Sequence, residues 1–291
     1  MKGDEELSYP AIINGLDFLT SVTELLDKPD PGPRALKFAV LHLQAATEVL
    51  LKACLVDIDW RLLFPNPNRA DEAEYKRGDS PSCSMKQVID RLNEHGVAIS
   101  DGDKNAVLAL AKDRNKLQHF GATLSAAAVE ARAGVVLEFL MRFVDAHLWR
   151  GISWEHVDEC VEVLERIRLD VPRIRGYATA RIARLAPELE PFRTTTVRCP
   201  KCGMWSLIVE EGESYCHLCF ANWEYSSSLL VDYGVDVLGL QVRDLLDRNR
   251  CPQCGYHDLL SGVCFADAPA APRTFCFQCV QVLDGSGAGE A

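Results

Sequence analysis

Eight of the twelve cysteines fall into two sets with the spacing of metal ligands. The sets are Cys199, Cys202, Cys216 and Cys219, and Cys251, Cys254, Cys276 and Cys279. Two residues between paired cysteines let one tight turn aim both thiolates at the same ion, and the glycines Gly203 and Gly255 permit the positive φ that such turns often need. Four thiolates close a tetrahedral shell and leave no position for an activated water, so we expect structural ions. The spacing favours two Zn²⁺ ions in two zinc ribbons, with iron–sulfur centres or redox dithiols as the alternatives.

A second group of residues suited to chemistry lies where a predicted helix ends, at Arg114, Asn115 and His119. On a helix Asn115 and His119 share one face, and the long side chain of Arg114 can reach the same pocket. The helix dipole favours a protonated imidazole in the last turn, and a guanidinium can hold a phosphate through two hydrogen bonds. These residue types suit phosphodiester chemistry without a metal. A surface helix with a capping histidine is the alternative.

The segments that position these residues are predicted to be helical up to about residue 190. Predicted helices occupy 8–27 and 35–56 and begin again at Ser84, Ser100, Ser125 and Ser153. Ser84 with Gln87 has the pattern of a capping box, and Gly121 is a natural left-handed end for the helix that carries His119. The polar stretch 65–81 predicts an exposed loop.

The composition changes after the prolines at 187 and 191, where a linker is predicted. The predicted domains are a helical domain (1–150), a helical extension and linker (151–190), a first zinc ribbon (194–230), a connecting segment (231–250), a second zinc ribbon (251–283) and a disordered tail (284–291). The predicted fold class is therefore an all-α N-terminal bundle followed by two small β zinc-ribbon modules.

Composition and charge limit the classes of function. The chain has 291 residues, is 48% hydrophobic and carries a formal net charge of −11, which excludes disorder throughout and a uniformly basic surface. Any contact with RNA or DNA therefore has to be local. The first ten residues are acidic and lack an apolar core, so we expect no secretory signal, no membrane contact and a cytoplasmic location.

The Arg-Asn pair, the histidine at the helix end and the long preceding helix AVLHLQAATEVLLKACL together resemble the HEPN superfamily, over about residues 33–150. This resemblance implies an all-helical, dimeric fold whose site forms across a two-fold axis, with Arg114, Asn115 and His119 at the signature positions. Many members are metal-independent endoribonucleases of toxin–antitoxin or anti-phage systems. Others are inactive dimers or nucleotide-binding partners.

Two further positions bear on the resemblance. Some members add an acidic residue on an earlier helix, and the candidate here is Glu48, which would orient Arg114; the alternative is a solvated polar stripe shared with Lys37, Gln44 and Lys52. Members paired with a nucleotidyltransferase usually carry a tyrosine two places after the histidine as a modification target, whereas this chain has Gly121. That regulatory arrangement is not expected here.

The expected function is that of a metal-independent endoribonuclease that acts on RNA as a homodimer in toxin–antitoxin or anti-phage defence. An antitoxin or regulatory protein is the expected partner, and the ribbons are expected to recognise substrate or partner. Two alternatives stay open. The first is a non-catalytic helical scaffold or ligand sensor with a zinc-ribbon adaptor. The second is a nucleic-acid-binding regulator whose ribbon aromatics, Trp205, Trp223, Tyr225 and Tyr256, stack on bases.

Overall fold

The computed structural model describes residues 9–28, 30–79, 81–119, 123–148, 151–246 and 250–283. The chain divides into two compact units, Met1–Ala180 and Arg181–Ala291. The helices of the first unit are α1 (Ala11–Leu26), α2 (Pro33–Ile58), α3 (Glu72–Arg77), α4 (Met85–Glu94), α5 (Asp101–His119), α6 (Ala126–His147), α7 (Val157–Asp170) and the beginning of α8 (Arg175–Leu189). No strand occurs among the described residues of this unit, so the prediction of a helical N-terminal region is confirmed.

Local capping signals set the beginnings of three helices as predicted. The Ser84 side chain and the Gln87 side chain form the reciprocal bonds of a capping box at α4. The Ser100 hydroxyl accepts a hydrogen bond from the N–H of Asp103 (3.1 Å) at the start of α5, and Ser125 accepts one from Ala128 (3.4 Å) at α6. These caps satisfy backbone donors that the first turn of a helix leaves without partners.

Three local predictions differ from the structure. Ser153 makes no capping bond, and α7 begins only at Val157 after a 3₁₀ turn. The predicted loop 65–81 contains α3, which is capped by the Asp71 side chain and ends at Gly78 with φ 72°. The predicted linker is also more regular than expected, because α8 continues through Pro187 to Leu189. The cap predicted at Gly121 and the tail 284–291 lie outside the described residues.

Helix α2 is the centre of the first unit and packs against α1, α4, α5 and α6. By length and composition alone this helix is apolar enough to cross a membrane, and core helices pass the same test. Its residues Leu43, Leu50, Leu51 and Leu55 are completely buried, which is the burial expected of a core helix. The apolar run that the sequence shows is therefore used for helix packing within this unit.

Two glycines allow α6 and α8 to cross at close range. A Cβ atom placed on Gly134 would lie 2.2 Å from the carbonyl carbon of Gly176, far inside van der Waals contact. The Arg175 side chain pairs with Glu130 (2.9 Å) beside this crossing. The absence of side chains at both positions is thus a condition for the observed helix separation.

The second unit contains small antiparallel sheets, as predicted. Its strands and helices are β1 (Thr196–Arg198), β2 (Trp205–Ile208), β3 (Ser214–Cys216), β4 (Asn222–Trp223), α9 (Ser226–Asp232), α10 (Val242–Leu246), β5 (Leu259–Phe265), β6 (Ala268–Cys276) and β7 (Gln281–Leu283). Strands β1 to β4 form one sheet in that order, and β5 to β7 form the other. Between α9 and α10 the chain makes a π-helical turn, Tyr233–Val237.

The two sheets share one hydrophobic core with the segment that connects them. Leu207 of β2, Leu230 of α9 and Phe275 of β6 belong to the same buried cluster, and so do Tyr233 and Leu245. The backbone N–H of Ala266 also donates to the carbonyl of Thr196 (2.9 Å), which joins the end of β5 to β1. The described part of the connecting segment, 231–246, is therefore part of the core in addition to being a connection.

Candidate functional site

The two cysteine sets have the geometry of four-thiolate metal centres. In each set the four sulfur atoms lie within 4.8 Å of one another. The Sγ–Sγ separations include 3.7 Å (Cys199–Cys219), 3.8 Å (Cys202–Cys216), 3.8 Å (Cys251–Cys279) and 3.7 Å (Cys254–Cys276). A tetrahedron with metal–sulfur bonds of about 2.3 Å has edges of about 3.8 Å, whereas a disulfide would bring two sulfurs to about 2.05 Å. None of these eight cysteines forms a disulfide, and the two sets can bind two metal ions.

The same tight turn occurs at all four cysteine pairs. The residue after the second cysteine has a positive φ in each: Gly203 (72°), Phe220 (63°), Gly255 (77°) and Val280 (53°). The prediction for the two glycines is confirmed. Phe220 and Val280 were missed because neither side chain favours this conformation, which costs an ordinary residue about 1–2 kcal/mol. Phe220 and Val280 stand directly after the second cysteine of a pair, as the two glycines do. This shared position could have predicted their positive φ, because the same turn imposes the same backbone conformation.

Backbone donors in these turns favour the ionised form of a ligand thiol. Burial opposes ionisation of Cys251, but hydrogen bonds from the N–H groups of Cys254 and Gln253, together with those from the thiols of Cys276 and Cys254, outweigh burial and lower the pKa of this thiol to about 7. The thiolate is the form that binds metal. The turn therefore prepares Cys251 for coordination as well as orienting it.

Arg181 of α8 supports the first centre through the turn that carries Cys216 and Cys219. Its Nε and Nη2 atoms donate to the carbonyl oxygen of His217 at 2.8 and 2.6 Å. Its guanidinium carbon lies 4.7 Å from the centre of the Phe220 ring, and the residue is only 5% exposed. A buried cation at this place offsets part of the negative charge of four thiolates. No sequence pattern indicates this contact, because Arg181 and His217 are 36 residues apart along the chain.

Arg114, Asn115 and His119 lie together in the last turns of α5. Asn115 and His119 are exposed and four residues apart, and His119 is the last residue of the helix. The Nη1 atom of Arg114 donates to Oδ1 of Asn115 at 3.0 Å, which brings the guanidinium round to the face of Asn115. Oδ1 of Asn115 is thereby occupied, and its amide N–H groups remain as donors toward solvent.

The charge of Arg114 is not neutralised by the neighbouring acid. Asp113 has a side chain that is only 5% exposed and forms an ion pair with Arg132 of α6. Among the residues that the structure describes, no carboxylate pairs with Arg114. Lys112 and Lys116 are exposed on the same part of α5. This end of the helix therefore carries a local excess of positive charge on a chain whose net charge is negative.

Glu48 forms an ion pair within its own helix, α2. Its carboxylate accepts a hydrogen bond from Lys52 at 2.5 Å, and Lys52 also donates to Ser82 at 2.9 Å. Within the described part of the chain no hydrogen bond or ion pair joins Glu48 to Arg114. His42 hydrogen-bonds Ser21 of α1 at 2.8 Å and so faces the α1–α2 contact.

The four aromatic residues considered for base stacking differ in exposure. Trp223 is buried, and its indole N–H donates to Asp232 at 3.0 Å, while Trp205 is half-buried. Tyr225 and Tyr256 are 68% and 60% exposed. Of these four side chains, only the two tyrosines present a ring largely to solvent.

Comparison with family models, curated proteins and solved structures finds no match to this chain.

Proposed function

We propose that this chain is a metal-independent endoribonuclease of the HEPN type that acts as a homodimer. The observation that carries the proposal is the hydrogen bond from Arg114 to Asn115. This contact aims a guanidinium without a carboxylate partner, among the described residues, toward the exposed helix face that also holds His119. A guanidinium, an amide and an imidazole together can bind a phosphodiester and move a proton on it.

The proposed reaction is cleavage of RNA by its own 2′-hydroxyl. The 2′-oxygen bonds to phosphorus and the bond from phosphorus to the 5′-oxygen breaks, which yields a 2′,3′-cyclic phosphate and a 5′-hydroxyl. One imidazole removes the 2′-hydroxyl proton, and a second, protonated imidazole gives a proton to the departing 5′-oxygen. Such acid–base catalysis contributes about 10²–10⁴-fold.

The remaining side chains stabilise the charge that develops on the phosphoryl oxygens. Arg114 balances the charge of the phosphorane, and stabilisation of this kind gives about 10²–10³-fold for a single donor. The free amide N–H groups of Asn115 donate to the same oxygens. A single α5 supplies one histidine, so two imidazoles require two copies of the chain related by a two-fold axis.

We assign Zn²⁺ to both four-cysteine sets. Four thiolates in a tetrahedron select zinc or iron, and a closed shell gives zinc a structural part. The ions would hold the second unit in shape while its exposed surface, which includes Tyr225 and Tyr256, recognises RNA or a protein partner. The proposed setting is a toxin–antitoxin or anti-phage system in the cytoplasm, with an antitoxin or regulatory protein as partner.

The test is incubation of the metal-loaded full chain with total RNA, with and without EDTA, followed by analysis of the new ends. We expect 2′,3′-cyclic phosphate ends that persist under chelation. His119→Ala and Arg114→Ala are expected to lower the rate by about 100-fold or more. His95→Ala is the matched control, because His95 is exposed and follows α4 directly without belonging to the proposed site.

Three results contradict the proposal. Intact RNA after incubation with the wild-type chain would favour a scaffold or ligand sensor. Cleavage that both substitutions leave unchanged would place the active site elsewhere. Cleavage that depends on added Mg²⁺ would indicate a different chemistry.

A further inference from the structure

A cleft of about 840 Å³ opens on the helical unit and does not include the end of α5. It lies between α1, α2, α3 and the segment 151–160. Most of its wall is apolar, with Ile12, Val56 and Leu63 among the lining residues. Clefts of roughly 300–1,000 Å³ with apolar walls and a few polar groups are typical small-molecule sites. The size and lining therefore fit a small organic ligand.

One acidic side chain of this cleft, Asp57, has no cationic partner among the described residues. Asp57 lines the cleft from the last turn of α2, and its side chain is exposed. Among the described residues no Lys, Arg or His pairs with Asp57. The last turn of this helix contains no basic residue, although the carbonyl end of a helix dipole favours cations. A carboxylate at the carbonyl end of a helix is electrostatically unfavourable, and a bound cation would offset the repulsion.

The other charged groups of the cleft do not supply that cation. Lys52 is already paired with Glu48 at 2.5 Å, and the ring of His156 lies 3.6 Å from the carboxylate of Glu159. Burial and the Asp57 charge together raise the pKa of the nearby Cys54 thiol to about 11. The negative charge of Asp57 therefore affects the ionisation of a buried side chain in this unit.

Two aromatic rings line the same cleft. Tyr9 is 53% exposed, and the ring of Tyr75 is held against Trp60 with 5.1 Å between ring centroids. Aromatic faces attract ammonium ions through the negative potential above the ring. A divalent metal ion suits the site less well, because Ca²⁺ and Mg²⁺ prefer about six or more oxygen ligands and most of this wall is apolar.

We propose that the cleft binds an organic ammonium ion with an apolar body. The ammonium group lies at Asp57 and the carbonyl end of α2, and the apolar part lies along Ile12 and Val56. This site is separate from Arg114 and His119, so the proposal does not depend on ribonuclease activity.

The test compares hexylammonium, 1-hexanol and hexanoate, which share one apolar chain and differ in charge, by isothermal titration of the metal-loaded full chain. We expect hexylammonium to bind about tenfold or more tightly than 1-hexanol, and hexanoate to bind more weakly than either. Asp57→Asn is expected to reduce hexylammonium affinity to that of 1-hexanol. Glu94→Gln is the matched control, because Glu94 is an exposed acid in the last turn of α4 outside this cleft, and it should change nothing.

A second variant tests the place of the apolar body. Ala53 lines the cleft from α2, and Ala53→Phe should fill it and weaken the binding of hexylammonium and 1-hexanol alike. Circular dichroism shows whether Ala53→Phe keeps its helices. If it does not, the loss of hexylammonium affinity in Asp57→Asn is the test of the proposal. The proposal is overturned if 1-hexanol or hexanoate binds as tightly as hexylammonium, if Asp57→Asn behaves like Glu94→Gln, or if hexylammonium shows no saturable binding.

Discussion

The close crossing of α6 and α8 makes Gly134→Ala a sharp test of the helical unit. The new Cβ atom would lie 2.2, 2.4 and 2.6 Å from the carbonyl carbon, the oxygen and Cα of Gly176. All three atoms belong to the backbone, so no side-chain rotation relieves the overlap. Ordinary carbon–carbon contacts begin at about 3.5 Å, and the two helices would therefore have to separate by about 1 Å.

Two opposing contributions set the expected loss of stability. Overpacking costs about 1–3 kcal/mol, and a clash with backbone belongs at or above the upper end of that range. Alanine is the better helix former by about 1 kcal/mol, which offsets part of this cost. We expect Gly134→Ala to lower the free energy of unfolding by about 2 kcal/mol, or the Tm by roughly 4–8 °C.

Gly102→Ala is the matched control because it makes the same substitution without the clash. Gly102 lies in the first turn of α5, and its new Cβ would meet only Ser100 Oγ, at 3.7 Å. We expect this variant to gain up to about 1 kcal/mol. Urea unfolding followed by circular dichroism at 222 nm measures both. Equal stability of the two variants, or a gain for Gly134→Ala, would show that the helices do not cross as described.

The remaining predictions concern the second unit. A strong chelator that removes both metal ions should abolish its sheet structure, because structural zinc contributes about 10–16 kcal/mol and a domain is typically stable by only about 5–15 kcal/mol. Metal analysis should give two ions per chain, and sheet structure that survives complete removal would contradict this expectation. Arg181→Gln should lower the affinity for one of the two metal ions by about 10–100-fold, because Arg181 fixes the His217 carbonyl between Cys216 and Cys219. Competition with a chromophoric chelator measures the effect, and an equal loss in the exposed control Arg243→Gln would rule out a specific contribution of Arg181.

Short-range geometry explains what could be predicted without the structure. Two residues between cysteines and a following glycine define a turn, so the two four-thiolate centres follow from spacing alone. The caps at Ser84, Ser100 and Ser125 depend on side chains within three residues of the donors they satisfy. The shared face of Asn115 and His119 follows from the period of the helix.

Contacts between distant segments could not be predicted in this way. Asp113 of α5 pairs with Arg132 of α6 rather than with its neighbour Arg114. This outcome depends on which helix faces are brought together, and one sequence of alternating charges permits several pairings. The position of Arg181 over the turn of the first metal centre has the same origin.

The sequence by itself determined the helical character of the first unit, the two four-cysteine sets that can bind metal and the grouping of Arg114, Asn115 and His119 on one helix, because each depends mainly on local spacing along the chain. Only the tertiary structure decided that both sheets share one core, that Arg114 has no carboxylate partner among the described residues, and that Asp57 faces an apolar cleft. These features arise from the packing of segments far apart along the chain, where the burial of apolar area selects the arrangement and the polar partners follow from it.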